Sequence, residues 1–129
     1  MKESAFRLRR GDDLKKAIAD SCKEKTAVVL SAVGCLSRVS LRMAKGKDFL
    51  EKDGDFEIVS LTGTVAKGRA HLHISVSDET GRVTGGHLCE GSVVNTTCEV
   101  ILGILEDYDA ERSYDPSTGY DEIVFVKKP

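Results

Sequence analysis

Apolar and polar residues alternate strictly along Ala70–Ser77, which predicts a β-strand with two different faces. One face carries three aliphatic side chains: Leu72, Ile74 and Val76. His71 and His73 share the other face with two serines. Because side chains alternate across a strand, we expect the aliphatic face to pack against a core and both imidazoles to point away from it.

Six further segments have the composition or the alternation of strands: Thr26–Val33, Val39–Met43, Phe56–Val65, Arg82–Leu88, Thr96–Leu105 and Ile123–Val126. The first of them consists almost entirely of β-favouring residues, which is typical of a strand covered on both sides. Apolar residues at helical spacing predict one helix from Asp12 to about Glu24, with Asp12 or Asp13 as its N-cap. The polar segment Asp107–Tyr120 is expected to be a loop.

About seven strands, one or two helices and mostly short turns together predict an α+β fold around an antiparallel sheet. The chain of 129 residues has the size of one domain, long enough to bury a hydrophobic core. No internal repeat or low-complexity segment divides it. We therefore interpret residues 1–129 as a single domain.

The turn after Ala70–Ser77 decides where the third histidine lies. Asp78-Glu79-Thr80-Gly81 has the composition of a turn, and its glycine can take the left-handed conformation that ends a three-residue loop. Such a loop sets His73 opposite His87 and brings all three histidines of the chain to one face. A four-residue loop would turn His87 to the other face, but the first register also places Leu88 on the aliphatic side.

Three imidazoles on one face suit a divalent metal, zinc above all, with a fourth position open to water or substrate. Gly85-Gly86 carries no side chains and is expected to leave room there for a ligand or another chain. A catalytic metal also needs a nearby acid or base. The candidates are Glu57 and Glu99, with Arg42 as an anchor for a substrate carboxylate. The alternative is three surface histidines that contact only solvent and neighbouring hydroxyls.

Charge and composition narrow the choice of partners. The net charge is −2, yet residues 1–52 carry 13 Lys and Arg against 7 Asp and Glu, and residues 53–129 carry 6 against 14. DNA affinity comes mainly from basic side chains, so DNA binding would require the basic half to form one face. No segment has the apolar length of a signal peptide or a membrane span. We expect no membrane contact and a cytoplasmic location.

Three segments together resemble the plant-and-prokaryote-conserved (PPC) domain: GDFEIVSLTGTVA (54–66), HLHISVSDETGRVTGGHL (71–88) and EGSVVNTTCEVIL (90–102). The similarity extends upstream to FRLRRGDDLKKAI and TAVVLSAVGCLSRVSLR and downstream to STGYDE, so it covers nearly the whole chain. The resemblance implies an antiparallel sheet with one or more helices, assembled as a homotrimer. Some prokaryotic members hold zinc at H-L-H and G-G-H-L, and His71, His73 and His87 match those positions.

Two motifs of the plant relatives have altered counterparts here. Their AT-hook segments contain R-G-R-P and bind the minor groove of DNA. This chain has no R-G-R-P, and its most similar segment is Arg9-Arg10-Gly11-Asp12. Their G-R-F-E-I-L stretch, linked to contacts with nuclear proteins, matches Gly54–Val59 at four of six positions, with Asp55 in place of the arginine. We interpret Phe56 and Ile58 within it as core positions.

The resemblance leaves three classes of function open. Prokaryotic members are commonly described as DNA-binding, which implies a metal-binding module with a DNA-associated or regulatory role. The fold is also similar to that of acetolactate decarboxylases, whose zinc is held by three histidines, which implies a small zinc-dependent lyase or hydrolase acting on a small acidic metabolite. The third possibility is a structural metal site that only fixes the hairpin.

Overall fold

The computed structural model describes residues 1–129 as eight strands and one helix. In chain order the elements are β1 (Lys2–Arg9), α1 (Leu14–Asp20), β2 (Thr26–Arg42), β3 (Phe49–Ala66), β4 (Arg69–Ser77), β5 (Val83–Leu88), β6 (Val93–Ile104), β7 (Tyr108–Asp115) and β8 (Tyr120–Lys127). Six strands form one antiparallel sheet in the order β1-β6-β2-β3-β4-β5, and β7 and β8 form a separate hairpin. The predicted α+β fold around an antiparallel sheet is confirmed.

Strand β2 is central to the sheet because it pairs with β6 on one side and with β3 on the other. Its C-terminal end also pairs with β5, which sets Leu41 opposite Leu88 and Arg42 opposite His87. The four consecutive strands β2, β3, β4 and β5 therefore curl so that β5 pairs with β2. This closure brings a basic residue next to the third histidine of the chain.

The predicted aliphatic face of β4 lies in the hydrophobic core. Leu72, Ile74 and Val76 expose 0%, 4% and 0% of their surface. They belong to one cluster of 22 buried residues that also includes Leu14 and Ile18 of α1. Two residues of the G-R-F-E-I-L counterpart are buried in the same cluster, as predicted: Phe56 and Ile58.

Helix α1 is shorter than the sequence predicted. Asp13 is the N-cap, and its carboxylate accepts a hydrogen bond of 3.0 Å from the backbone N–H of Lys16. The helix ends at Asp20 instead of near Glu24. The backbone carbonyl of Cys22 accepts a hydrogen bond from the N–H of Gly68, in the turn before β4, so this segment is tied to another part of the chain. That contact replaces the next helical turn.

The segments Thr26–Val33 and Val39–Met43 are predicted as separate strands, but one strand, β2, begins with the first segment and extends into the second as far as Arg42. Within one subunit the first segment is not covered on both sides as predicted, since Leu30 and Val33 are 48% and 54% exposed. The single helix packs mainly against β3 and β4. The apolar segment Thr26–Val33 therefore packs one face into the core and exposes the other face on the surface of the subunit.

Two strands escaped prediction. Strand β1 pairs with β6 along its whole length, from Lys2 opposite Ile104 to Arg9 opposite Thr97. Strand β7 occupies most of the segment predicted as a polar loop, so that prediction is wrong. Its sequence, YDAERSYD, buries only Ala110 and therefore lacks the alternation that marks a half-buried strand. No helix of the chain has the length and apolar character needed to cross a membrane.

Candidate metal centre

The hairpin of β4 and β5 has the register predicted from its turn. His73 pairs with His87, and the pairing continues without a shift to Ser77 opposite Val83. Gly81 has a φ of 85°, the left-handed value that a glycine accommodates without strain. The carboxylate of Asp78 accepts hydrogen bonds from the Thr80 backbone N–H (2.9 Å) and hydroxyl (2.7 Å) and from the Arg82 N–H (3.1 Å). These bonds fix the loop length and, with it, the face on which His87 lies.

The three imidazoles meet on that face. The ring centroid of His71 lies 5.3 Å from that of His73 and 5.5 Å from that of His87. The ring centroids of His73 and His87 are 5.7 Å apart. One potential ligand nitrogen from each ring lies within 4.8 Å of the other two. Nitrogens at 2.0–2.1 Å from a tetrahedral zinc are about 3.4 Å apart. His71 and His73 are exposed and His87 is half-buried, so modest side-chain rotations would close that difference, and the residues present fit a zinc ion.

The environment favours the neutral form of two of these imidazoles, His71 and His87. Burial, followed by the charges of Arg42 and Lys15, lowers the pKa of His87 to about 4. Burial also lowers the pKa of His71, with smaller contributions from the charges of His73 and Arg112. A metal binds only the unprotonated nitrogen, so a lowered pKa favours binding at neutral pH. The Nδ1 atom of His87 is buried and has no hydrogen-bond partner, which leaves its lone pair or proton free.

The glycine pair before His87 has a role in addition to the one expected. A Cβ atom on Gly86 would lie 2.8 Å from the backbone carbonyl oxygen of Arg42, and one on Gly85 would collide with the carbonyl of Ile74. The backbone of β2 and β4 therefore fills the space where a Cβ would lie, whereas Gly86 itself lines the cleft in front of the histidines, as expected. Glycine allows β2 and β5 to approach closely, and this approach sets Arg42 next to the histidines.

A cleft of about 820 Å³ opens in front of the histidines. Five basic residues line it: Lys15, Arg42, Lys45, Arg69 and Arg112. Only two acidic residues, Asp121 and Glu122, do so, and the Glu122 carboxylate is close enough to His71 to oppose the lowering of its pKa. Of the predicted site residues, Arg42 thus joins the three histidines.

The structure does not bring the two predicted acid–base candidates to this cleft. Glu57 pairs with Ser77 at the far end of the β3–β4 ladder and lines a second, smaller cleft with Cys35. Glu99 lies on β6, between β1 and β2, with its side chain exposed. The acidic residues that do line the histidine cleft come from the start of β8 and were missed, since the strand predicted at Ile123–Val126 begins after them and nothing in the sequence places it beside the histidines.

Known proteins resemble this chain along most of its length. The family model for the Plants and Prokaryotes Conserved (PCC) domain, the domain abbreviated PPC above, matches residues 1–106. A Synechococcus protein named bifunctional protein GlmU is 39% identical over 126 residues, which cover 95% of this chain and 20% of that protein. The chain thus spans about one fifth of the length of this curated relative.

Three solved structures share the fold. A hypothetical protein from Salmonella cholerae-suis superposes with a TM-score of 0.93 at 30% identity, covering 99% of this chain and 95% of that chain. A metal-containing protein from Archaeoglobus fulgidus has a TM-score of 0.74 at 25% identity, with 96% and 94% covered. A proposed DNA-binding protein from Bacteroides thetaiotaomicron has a TM-score of 0.82 at 22% identity, with 95% and 91% covered, and is similar in fold alone.

Proposed function

The chain belongs to the Plants and Prokaryotes Conserved (PCC) domain family, and we propose that it binds one divalent metal ion through His71, His73 and His87. The observation that carries this proposal is the convergence of three imidazole nitrogens within 4.8 Å. The metal-containing neighbour from Archaeoglobus fulgidus supports it. An all-imidazole ligand set suits zinc, which commonly takes three protein ligands and one exchangeable water.

A metal titration tests the proposal. Protein treated with chelator and then titrated with Co²⁺ should develop the visible absorption of a nitrogen-coordinated ion and saturate at one ion per chain. Zinc added afterwards should displace cobalt, because zinc binds nitrogen ligands more tightly. Saturation well below one ion per chain, or no visible band, would reject the metal site.

A second candidate function is a zinc-dependent lyase or hydrolase acting on a small acidic metabolite. The observation that favours it is Glu122, a carboxylate that lines the same cleft as the histidines and influences the pKa of His71. A bound zinc would supply Lewis acidity, and a carboxylate beside it could move a proton. A screen of small acids for thermal stabilisation, followed by turnover assays of Glu122→Gln, tests this function. Turnover that the variant retains in full would exclude Glu122 as the acid–base group.

The PCC family also suggests assembly as a homotrimer, and we include it in the proposal. Leu30, Val33 and Ile101 are exposed apolar residues on the neighbouring strands β2 and β6, and such patches often mark subunit contacts. Three subunits of 14.0 kDa would give a particle of about 42 kDa. Light scattering should return that mass for the wild type and a lower one for Val33→Glu. A wild-type monomer at micromolar concentration would contradict the trimer.

DNA association is the weaker part of the proposal. It is supported by the basic half of the chain, residues 1–52, and by the description of a neighbour with the same fold. Binding of this kind should weaken steeply with salt, because phosphate contacts release counterions. A flat salt response, or no binding at low salt, would remove this role. The cytoplasmic location and the single domain over residues 1–129 also stay predictions.

A further inference from the structure

The β7–β8 hairpin contributes to the histidine cleft although the PCC family model ends at residue 106, before the hairpin begins. Arg112 on β7 and Asp121 and Glu122 on β8 line the cleft together with the three histidines. The histidines thus come from the part of the chain matched by the family model, and this group of charged residues comes from outside it. Ligand selection by the hairpin would therefore add residues beyond 106 to the three histidines.

Arg112 is the residue of the hairpin with buried nitrogens that have no hydrogen-bond partner. Its Nη1 group donates a hydrogen bond of 3.4 Å to the backbone carbonyl of Asp121. The Nε and Nη2 atoms are buried and have no hydrogen-bond partner. None of the four ion pairs in the chain involves Arg112. The side chain as a whole is half-buried, but two buried donors without partners are costly, because they have lost water and gained no other hydrogen bond.

The two unpartnered nitrogens lie on one edge of the planar guanidinium. The Nε–H and the adjacent Nη–H bond of an arginine run parallel, which is the arrangement that binds two oxygens of one carboxylate or phosphate. The guanidinium lines the cleft, and rotation about its side-chain torsions would present this edge to a molecule bound there. The same rotation would release the long hydrogen bond of 3.4 Å that Nη1 donates to Asp121.

The surroundings of Arg112 also favour an anion. Burial lowers its pKa, and the charge of Arg69 lowers it further, while the opposing influence of Glu122 and Asp121 is smaller. Like charges brought together destabilise each other unless a negative group comes between them. With five basic residues against two acidic ones, the lining as a whole attracts small anions.

We propose that Arg112 is the recognition residue for a small carboxylate- or phosphate-bearing molecule that binds in the cleft beside the histidines. The position of that molecule next to a metal rests on the function proposed above. Recognition by Arg112 rests on the unpartnered guanidinium edge and on the charge of the cleft. The two claims can therefore fail separately.

Calorimetric titration with malonate and with inorganic phosphate, at fixed physiological salt, tests the proposal. Zinc-loaded wild type should bind at least one of the two anions, and Arg112→Met should weaken that binding about 10-fold or more, because a charge-assisted bidentate contact is lost. Arg112→Lys keeps the charge without the parallel donors and should be intermediate. Lys127→Met removes a positive charge from the same hairpin outside the cleft and should bind as the wild type does. Tighter malonate binding would identify a carboxylate ligand, and tighter phosphate binding a phosphate ester.

Stability and mass separate recognition from a structural role. Without anion, Arg112→Met should melt at the same temperature as the wild type or higher, since it removes an uncompensated charge. Equal anion affinity in Arg112→Met and wild type would overturn the proposal. So would a lower melting temperature of anion-free Arg112→Met, or a changed particle mass, because either result assigns Arg112 to packing or to a subunit contact.

Zinc content measured on the same samples distinguishes the two proposals. Anion binding that depends on Arg112 in a protein unable to hold zinc would refute the metal site and retain the recognition residue. Full zinc occupancy together with equal anion affinity in Arg112→Met and wild type would retain the metal site and refute Arg112 as the recognition residue.

Discussion

The two faces of β4 have opposite environments although they alternate residue by residue. Leu72, Ile74 and Val76 lie in the core, whereas His71 and His73 project into an open cleft. The first face is fixed by burial of apolar surface, which does not depend on any ligand. The second has no packing that would explain three imidazoles within 4.8 Å of one another. One strand thus separates residues that stabilise the fold from residues available for chemistry.

The largest effect is expected from a change that disturbs both faces at once. Inserting one Gly between Glu79 and Thr80 lengthens the loop and shifts β5 by one residue, which turns His87 away from His73 and Leu88 out of the core. We expect loss of most bound zinc and a marked loss of stability, measured by metal analysis and urea unfolding.

The matched control for the insertion is the same Gly placed between Ser117 and Thr118, at the tip of the β7–β8 hairpin. That variant should keep its zinc, because the tip takes no part in the β4–β5 register. An insertion after Glu79 that leaves both zinc content and stability unchanged would show that a bulge absorbs the extra residue. The register would then not determine the site.

A smaller effect is expected when only the core face is changed. Leu72→Ala should lower the free energy of unfolding by about 2–5 kcal/mol, since it leaves a cavity at a fully buried position. It should still bind one zinc per chain under native conditions. Ser75→Ala, on the histidine face of the same strand, removes a hydroxyl that hydrogen-bonds Ser60 at 2.6 Å and should cost about 1 kcal/mol. Equal losses in urea unfolding would contradict the separation of the two faces.

The smallest effect concerns protonation on the histidine face. Burial and the charges of Arg42 and Lys15 lower the pKa of His87 to about 4, below the value of about 6.5 for a free histidine. The unfolded chain therefore takes up a proton near pH 6.5 while folded His87 stays neutral until near pH 4. Metal-free stability should decline as the pH falls through this window.

Imidazole NMR titration of zinc-free protein measures this pKa directly. Lys15→Met should raise the pKa of His87 slightly, whereas Lys127→Met, far from the cleft, should leave it unchanged. Titration of wild-type His87 at about pH 6.5 would contradict the burial and the charges assigned to the site.

The β4–β5 hairpin could be predicted from sequence because two independent patterns agree there. Strict alternation fixes the faces of β4, and the turn with Gly81 fixes the pairing of His73 with His87. The position of Arg42 beside His87 was not predictable, since it depends on the second pairing of β2 with β5. Such a closure leaves no mark on local periodicity.

The hairpin that completes the cleft was predicted only in part. Ile123–Val126 shows a strand pattern within β8, but β7 is polar and buries Ala110 alone, so the segment has the composition of a loop. Its pairing is made by the backbone, from Tyr108 opposite Lys127 to Asp115 opposite Tyr120. Arg112 and Glu122 could therefore not be assigned to the histidine cleft without the three-dimensional structure.

The metal content of protein purified without chelator tests the central claim most directly. Wild type should carry about one zinc per chain, and His73→Ala and His87→Ala should carry almost none, because each removes one of three ligands. In excess chelator all three proteins should show the same circular dichroism spectrum, since the core face of β4 is intact. Full zinc occupancy in both variants would contradict the account and make the three histidines ordinary surface residues.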